Sequence, residues 1–139
     1  MSILYTARAS ANKGRQGRAY SDDDRLDVQL STPAALGGDD GPGTNPEQLF
    51  AAGYAACFMS AMGLVAQQAK IKLPDDAKVD AEVGIGPREA GGFSLAVTLI
   101  AHLPGVDEAQ ANELLEKTEQ VCPYSNATRG NVTTTLKLG

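Results

Sequence analysis

The feature that most constrains this chain is the run LFAAGYAACFMSAMGLVA from Leu49 to Ala66, which is apolar or small on nearly every side. Asn45 stands as an N-cap before it, Pro46 takes the first helical position, and Glu47 and Gln48 occupy the first turn. A helix is therefore predicted from Pro46 to about Lys70. A helix without a polar face has to be buried all round. Its small residues, among them Ala51, Ala52, Gly53, Ala55, Ala56, Ser60, Ala61 and Gly63, would let another backbone approach closely. The 139 residues are expected to form a single domain (1–139) that buries roughly two-thirds of its unfolded surface. That is little material to wrap such a helix, so a dimer sharing one core is expected.

The remaining pattern surrounds this helix with strands. Ile3 to Ala9 alternates as a strand, Asn12 to Ala19 is a glycine-punctuated turn, and Arg25 to Ser31 alternates again. A Gly/Pro/Asp-dense loop then runs from Thr32 to Pro46, and loops of that length usually carry function. Val79 to Ile85 and Phe93 to His102 read as a hairpin. Asp107 caps an amphipathic helix whose apolar stripe is Ala111, Leu114, Leu115, Thr118, Val121 and Cys122, and Val132 to Leu138 is a last strand. The order β-β-α-β-β-α-β indicates an α+β fold, an antiparallel sheet around an encased helix.

Composition excludes several functions. A net charge of −5 and a pI near 4.7 argue against a nucleic-acid or anionic-membrane partner. Leu49 to Ala66 is rich in Ala and Gly, so no run is expected to reach the ~20 apolar residues of a membrane span. The N-terminus lacks the pattern of a signal peptide, and a cytoplasmic protein is expected. One histidine and two cysteines leave too few ligands for an ordinary zinc site. His102 reads as structural or solvated, Gly84-Ile-Gly86 as a strand-and-turn feature, and the two Asn-X-Thr patterns as unused.

The candidate chemistry rests on the two cysteines. Cys57 lies inside the apolar helix, and Cys122 ends a helix directly before Pro123, which biases it out of the helical region. Cys57 reads either as a small core residue or as a reactive thiol. In apolar surroundings its pKa rises, so reactivity requires a cation nearby. Arg15, in the Gly14-Arg15-Gln16-Gly17 turn, is one candidate and Arg129 another. A cation in such a pocket needs a partner of its own. Glu47 is suited to this, unless it is simply a first-turn acid favoured by the helix dipole. Ten helical residues put Glu47 roughly 15 Å from Cys57 along a straight axis. Either the helix breaks near Gly53, or Arg15 and Glu47 come from another subunit. Phe50, Tyr54, Phe58 and Met59 would supply an apolar lining.

The motifs GRQGRA (Gly14 to Ala19), LDVQLSTP (Leu26 to Pro33), GTNPEQLFAAGYAACF (Gly43 to Phe58), VGIGP (Val83 to Pro87) and VCPYSNATRGNV (Val121 to Val132) resemble the organic hydroperoxide resistance (Ohr) family of the OsmC/Ohr group. The resemblance covers nearly the whole chain and implies antiparallel sheets around a buried central helix in an intertwined homodimer. It implies that Cys57 is the peroxidatic and Cys122 the resolving cysteine, that Arg15 stabilises the thiolate, and that Glu47 holds Arg15. It further implies reduction of alkyl and fatty-acid hydroperoxides, with no tightly bound cofactor and with dihydrolipoamide or a lipoylated protein as reductant. Two other readings stand beside it: a non-enzymatic stress or ligand-binding protein with packing cysteines, and a structural Cys57–Cys122 disulfide.

Overall fold

The computed structural model describes all 139 residues, which form two compact units, Met1–Leu49 and Phe50–Gly139. In the first, strands β1 (Ala9–Asn12), β2 (Arg18–Ser21) and β3 (Asp27–Gln29) form an antiparallel sheet in that order. The strand expected at Ile3 to Ala9 therefore begins only at Ala9. Ile3, Leu4 and Tyr5 are exposed and have no partner strand to complete their alternation. The long loop is tied back to β3: Thr44 N–H donates to Gln29 O (2.9 Å), Ser31 N–H to Thr44 O (2.9 Å) and Gly43 N–H to Ser31 Oγ (2.8 Å). Backbone groups that a free loop would leave to water are thus paired within the unit.

Helix α1 (Pro46–Gln68) starts where the capping residues predict, with Gln48 N–H donating to Asn45 Oδ1 at 2.8 Å. At 23 residues it is, by length and composition, apolar enough to cross a membrane; this corrects the expectation that no run reaches that size. It is unbroken through Gly53. Tyr54, Phe58, Ala61, Met62, Val65 and Ala66 are buried, the 4-3-1-3-1 spacing of one helical face. Ala52, Ala56, Ser60 and Leu64, four apart along the other side, remain exposed. Encasement on all sides is not reached within one chain.

In the second unit β4 (Lys78–Pro87) and β5 (Phe93–His102) form the expected hairpin, in register from Lys78↔His102 to Pro87↔Phe93. Strand β6 (Thr133–Leu138) pairs with β5 in parallel, Ala96↔Thr133 to Ala101↔Leu138. The sheet is thus mixed rather than antiparallel throughout. The physical reason is the crossover: helices α2 (Glu108–Val121) and α3 (Pro123–Thr128) carry the chain back before β6 begins. Asp107 caps α2 by accepting from Gln110 N–H at 3.1 Å. Its buried face is Ala111, Leu114, Leu115 and Thr118, while Val121, expected on that stripe, is 40% exposed. Ala111, Leu114 and Leu115 pack with the buried face of α1 and with Val97, Leu99 and Ala101 of β5 in one core.

Candidate active site

In the first unit, the site begins with a tight turn. Lys13 and Gly14 adopt left-handed backbone angles (φ 52° and 54°) that reverse the chain after β1. Gly17 has no alternative, because a Cβ there would collide with the Asn12 carbonyl oxygen. The turn carries Arg15, whose guanidinium meets the Glu47 carboxylate with both prongs, at 2.8 and 2.5 Å. This two-pronged geometry is the strong form of a charge-assisted pair. Arg15 holds the Glu47 carboxyl below its ordinary pKa, and Glu47 in turn raises that of Arg15. The partnership proposed between these residues 32 apart in sequence is therefore present.

In the second unit the two cysteines meet. Cys57 and Cys122, both free thiols, lie with their sulfurs 3.7 Å apart although 65 residues separate them. A disulfide is about 2.05 Å long, so bond formation needs an approach of only about 1.7 Å. Cys57 is partly exposed; Cys122 is fully buried in the core. Burial pushes the Cys57 thiol up, and contact with Cys122 adds to that, while the Tyr124 backbone N–H acts against it. That N–H belongs to the first turn of α3, where helical amides have no intrahelical acceptor.

Cys122 stands between two helices. Its backbone is extended (φ −61°, ψ 122°), as the following proline requires, yet its N–H closes α2 onto Thr118 O and its carbonyl accepts from Asn126 N–H in α3. The segment after it is helical, with Pro123 at its first position. Ser125 and Thr128 are buried and bond to the Tyr54 hydroxyl of α1, at 2.8 and 3.3 Å. Cys122 is thus pinned by hydrogen bonds on both sides rather than carried on a loose end.

Two further expectations change. Arg129, the alternative cation, donates to the Glu119 carbonyl at 2.6 Å and to Asn126 Oδ1 at 2.7 Å; it ties the end of α2 to α3. Tyr54 and Phe58, expected to line a pocket, are wholly buried in the core, whereas Phe50 and Met59 are partly exposed. His102 has a partner that sequence adjacency did not indicate, Asp80 Oδ2 at 2.8 Å across the β4–β5 hairpin. Tyr124 was missed altogether. Its ring packs against Phe50 and Tyr54 (centroids 6.2 and 5.7 Å apart) and covers Gly53. The signal for it was Pro123, since a proline at the first helical position implies that the next amide is free to donate. A cavity of about 270 Å³ between α1 and α2, lined by Val65, Ala69, Ile71 and Leu114 with Gln110, Glu113 and Lys117, contains no thiol.

Comparison with known proteins identifies the family. Residues 37–137 match the model of the OsmC-like protein family. The chain is 58% identical over 136 residues to the organic hydroperoxide resistance protein of Xanthomonas axonopodis pv. citri, covering 98% of this chain and 95% of that one. The chain belongs to the Ohr branch of the OsmC-like family. It is also 43% identical to the organic hydroperoxide resistance protein OhrB of Bacillus subtilis, over 97% of this chain and 98% of that protein. Among solved structures, an organic hydroperoxide resistance protein from Elizabethkingia anophelis superposes with a TM-score of 0.94 at 50% identity, covering 100% of this chain and 99% of that one. The α+β OsmC/Ohr fold expected from the motifs is therefore the fold of this chain.

Proposed function

We propose that this chain is a two-cysteine peroxidase that reduces organic hydroperoxides to alcohols. The observation that carries the proposal is the pair of unbonded sulfurs at 3.7 Å, in a chain whose relatives are named for organic hydroperoxide resistance. Cys57, as thiolate, attacks the distal peroxide oxygen; the O–O bond breaks, an alcohol leaves after taking a proton, and Cys57 becomes a sulfenic acid. Cys122 condenses with it, water leaves, and the Cys57–Cys122 disulfide forms. A lipoyl dithiol, free or protein-borne, reduces it again by exchange. The reaction is assigned to the cytoplasm, where both thiols stay reduced between turnovers.

Burial disfavours the Cys57 thiolate, so the reaction needs a cation; Arg15, oriented by Glu47, is assigned that role. With α1 unbroken, roughly 15 Å of helix axis separates Glu47 from Cys57. The arrangement favoured by that length is a homodimer in which Arg15 of the partner subunit serves each Cys57. The exposed stripe Ala52, Ala56, Ser60 and Leu64 is the surface on which two copies of α1 would close the shared core.

Adding one equivalent of an alkyl hydroperoxide to reduced protein should consume both thiols in the wild type, and Cys57→Ser should lose turnover. Retention of both thiols, or turnover by Cys57→Ser, would overturn the peroxidase assignment. Arg15→Ala should lower the second-order rate strongly. Mixing Cys57→Ser with Arg15→Ala subunits should restore about a quarter of wild-type activity if sites are shared across a two-fold interface, because half the dimers are mixed and each holds one intact site. No restoration would place Arg15 and Cys57 in one chain.

A further inference from the structure

We infer that the reducing dithiol attacks Cys57, never Cys122, so that the covalent intermediate with the electron donor is carried on Cys57; this rests on the two-cysteine peroxidase assignment above. Disulfide exchange is an in-line displacement, and the attacked sulfur must be reachable from the side opposite its partner. Cys122 offers no such side. It is 0% exposed and packed in the core with Tyr54, Phe58 and Leu114. Its backbone is bonded to Thr118 O and Asn126 N–H, and α3 is fixed to α1 through Tyr54, Ser125 and Thr128. Opening a path to Cys122 would require those buried hydrogen bonds to break. Cys57 is partly exposed on α1 and already lies within 3.7 Å of the sulfur it would leave.

The steps balance as follows. One thiolate of the dithiol attacks Cys57 Sγ; the Cys57–Cys122 bond breaks, a Cys57–donor disulfide forms, and Cys122 departs as a thiolate that takes a proton from the medium. The donor's second thiolate then attacks the donor sulfur bound to Cys57. The donor closes as a cyclic disulfide, oxidised by two electrons, and Cys57 is released as a thiolate. Cys122 stays beside Cys57 throughout and can reverse the first step. A monothiol should therefore be a poor reductant, because its adduct is expelled by Cys122 before a second molecule arrives. A dithiol escapes this by ring closure.

The test uses the full chain with its disulfide formed by diamide, so it does not depend on peroxide turnover. The oxidised protein is treated with a large molar excess of mono-S-methyl dihydrolipoamide, so that mass action populates the adduct although Cys122 can expel it, then quenched in acid, alkylated with N-ethylmaleimide and mapped by peptide mass. The probe should be found on Cys57 and the maleimide on Cys122, in excess over the reverse by roughly tenfold or more, as expected when access selects the sulfur. A probe found mainly or equally on Cys122 would overturn the inference. In the native reduced protein, N-ethylmaleimide should modify Cys57 at least about tenfold faster than Cys122; equal rates would also overturn it. If diamide-oxidised protein gives the Cys57 adduct but hydroperoxide fails to oxidise the thiols, the peroxidase assignment fails while the selectivity stands.

Discussion

The two halves of the candidate chemistry are held by opposite means. Arg15 sits on a short turn with left-handed backbone angles and is fixed by charge alone, to a Glu47 that opens a helix; the Arg15 side chain remains one-third exposed. Cys122 belongs to the core with Phe58, Met62 and Leu114, and Cys57 packs against that core. A charge keeps its hydration only near the surface, so the cation is presented on a loop. A neutral thiol loses little on leaving water and is held most accurately by close packing. The Arg15 position is therefore adaptable, and the cysteine pair is rigid.

Damage to the core should have the largest effect. Phe58→Ala removes a side chain that is 0% exposed and should cost about 3–5 kcal/mol in urea unfolding, with slower closure of the disulfide. Tyr54→Phe keeps the ring but removes the hydroxyl that bonds Ser125 and Thr128. It should cost about 1–3 kcal/mol, equally at all pH values where the protein is folded.

Glu47→Gln should cost less, about 1 kcal/mol, because the pair is only partly buried, and its effect should depend on pH. The folded-state pKa of Glu47 is depressed by Arg15, so its contribution is complete above the ordinary carboxylate range and is lost as pH falls through the depressed value. The stability gap between wild type and Glu47→Gln should thus be present at about pH 7 and shrink toward about pH 3. A pH-independent loss as large as that of Phe58→Ala would dissolve the contrast between charge-held and packing-held halves.

The smallest effect is expected at Gly53. A Cβ there would lie 3.1–3.2 Å from the Tyr124 ring, which is 40% exposed and can yield. The crowding should nearly cancel the roughly 1 kcal/mol helix gain of alanine over glycine, leaving melting little changed while shifting Tyr124 relative to Cys57.

Much of this was legible in the sequence because local chemistry decides it. Asn45 and Pro46 determined where α1 starts, Asp107 where α2 starts, and the alternation from Phe93 to His102 determined β5. Pro123 dictated the extended backbone at Cys122, and a buried thiol's need for a cation left Arg15 and Arg129 as candidates, between which the family resemblance chose Arg15 with Glu47. The expectations that the structure changed were those settled by partners distant in the chain. Alternation at Ile3 to Tyr5 is a strand signal only if a neighbour strand exists, and within one chain none does. The parallel pairing of β6 with β5 depends on where two helices return the chain. Tyr54 and Phe58 look equally suited to a pocket or a core, and only the position of Leu114, Ser125 and Thr128 around them decides for the core. Which residues could do redox chemistry was readable from residue type, because thiols, cations and caps act through their own bonding. Which sulfur is exposed and which enclosed depended on the folded chain, because burial belongs to the surroundings and not to the residue.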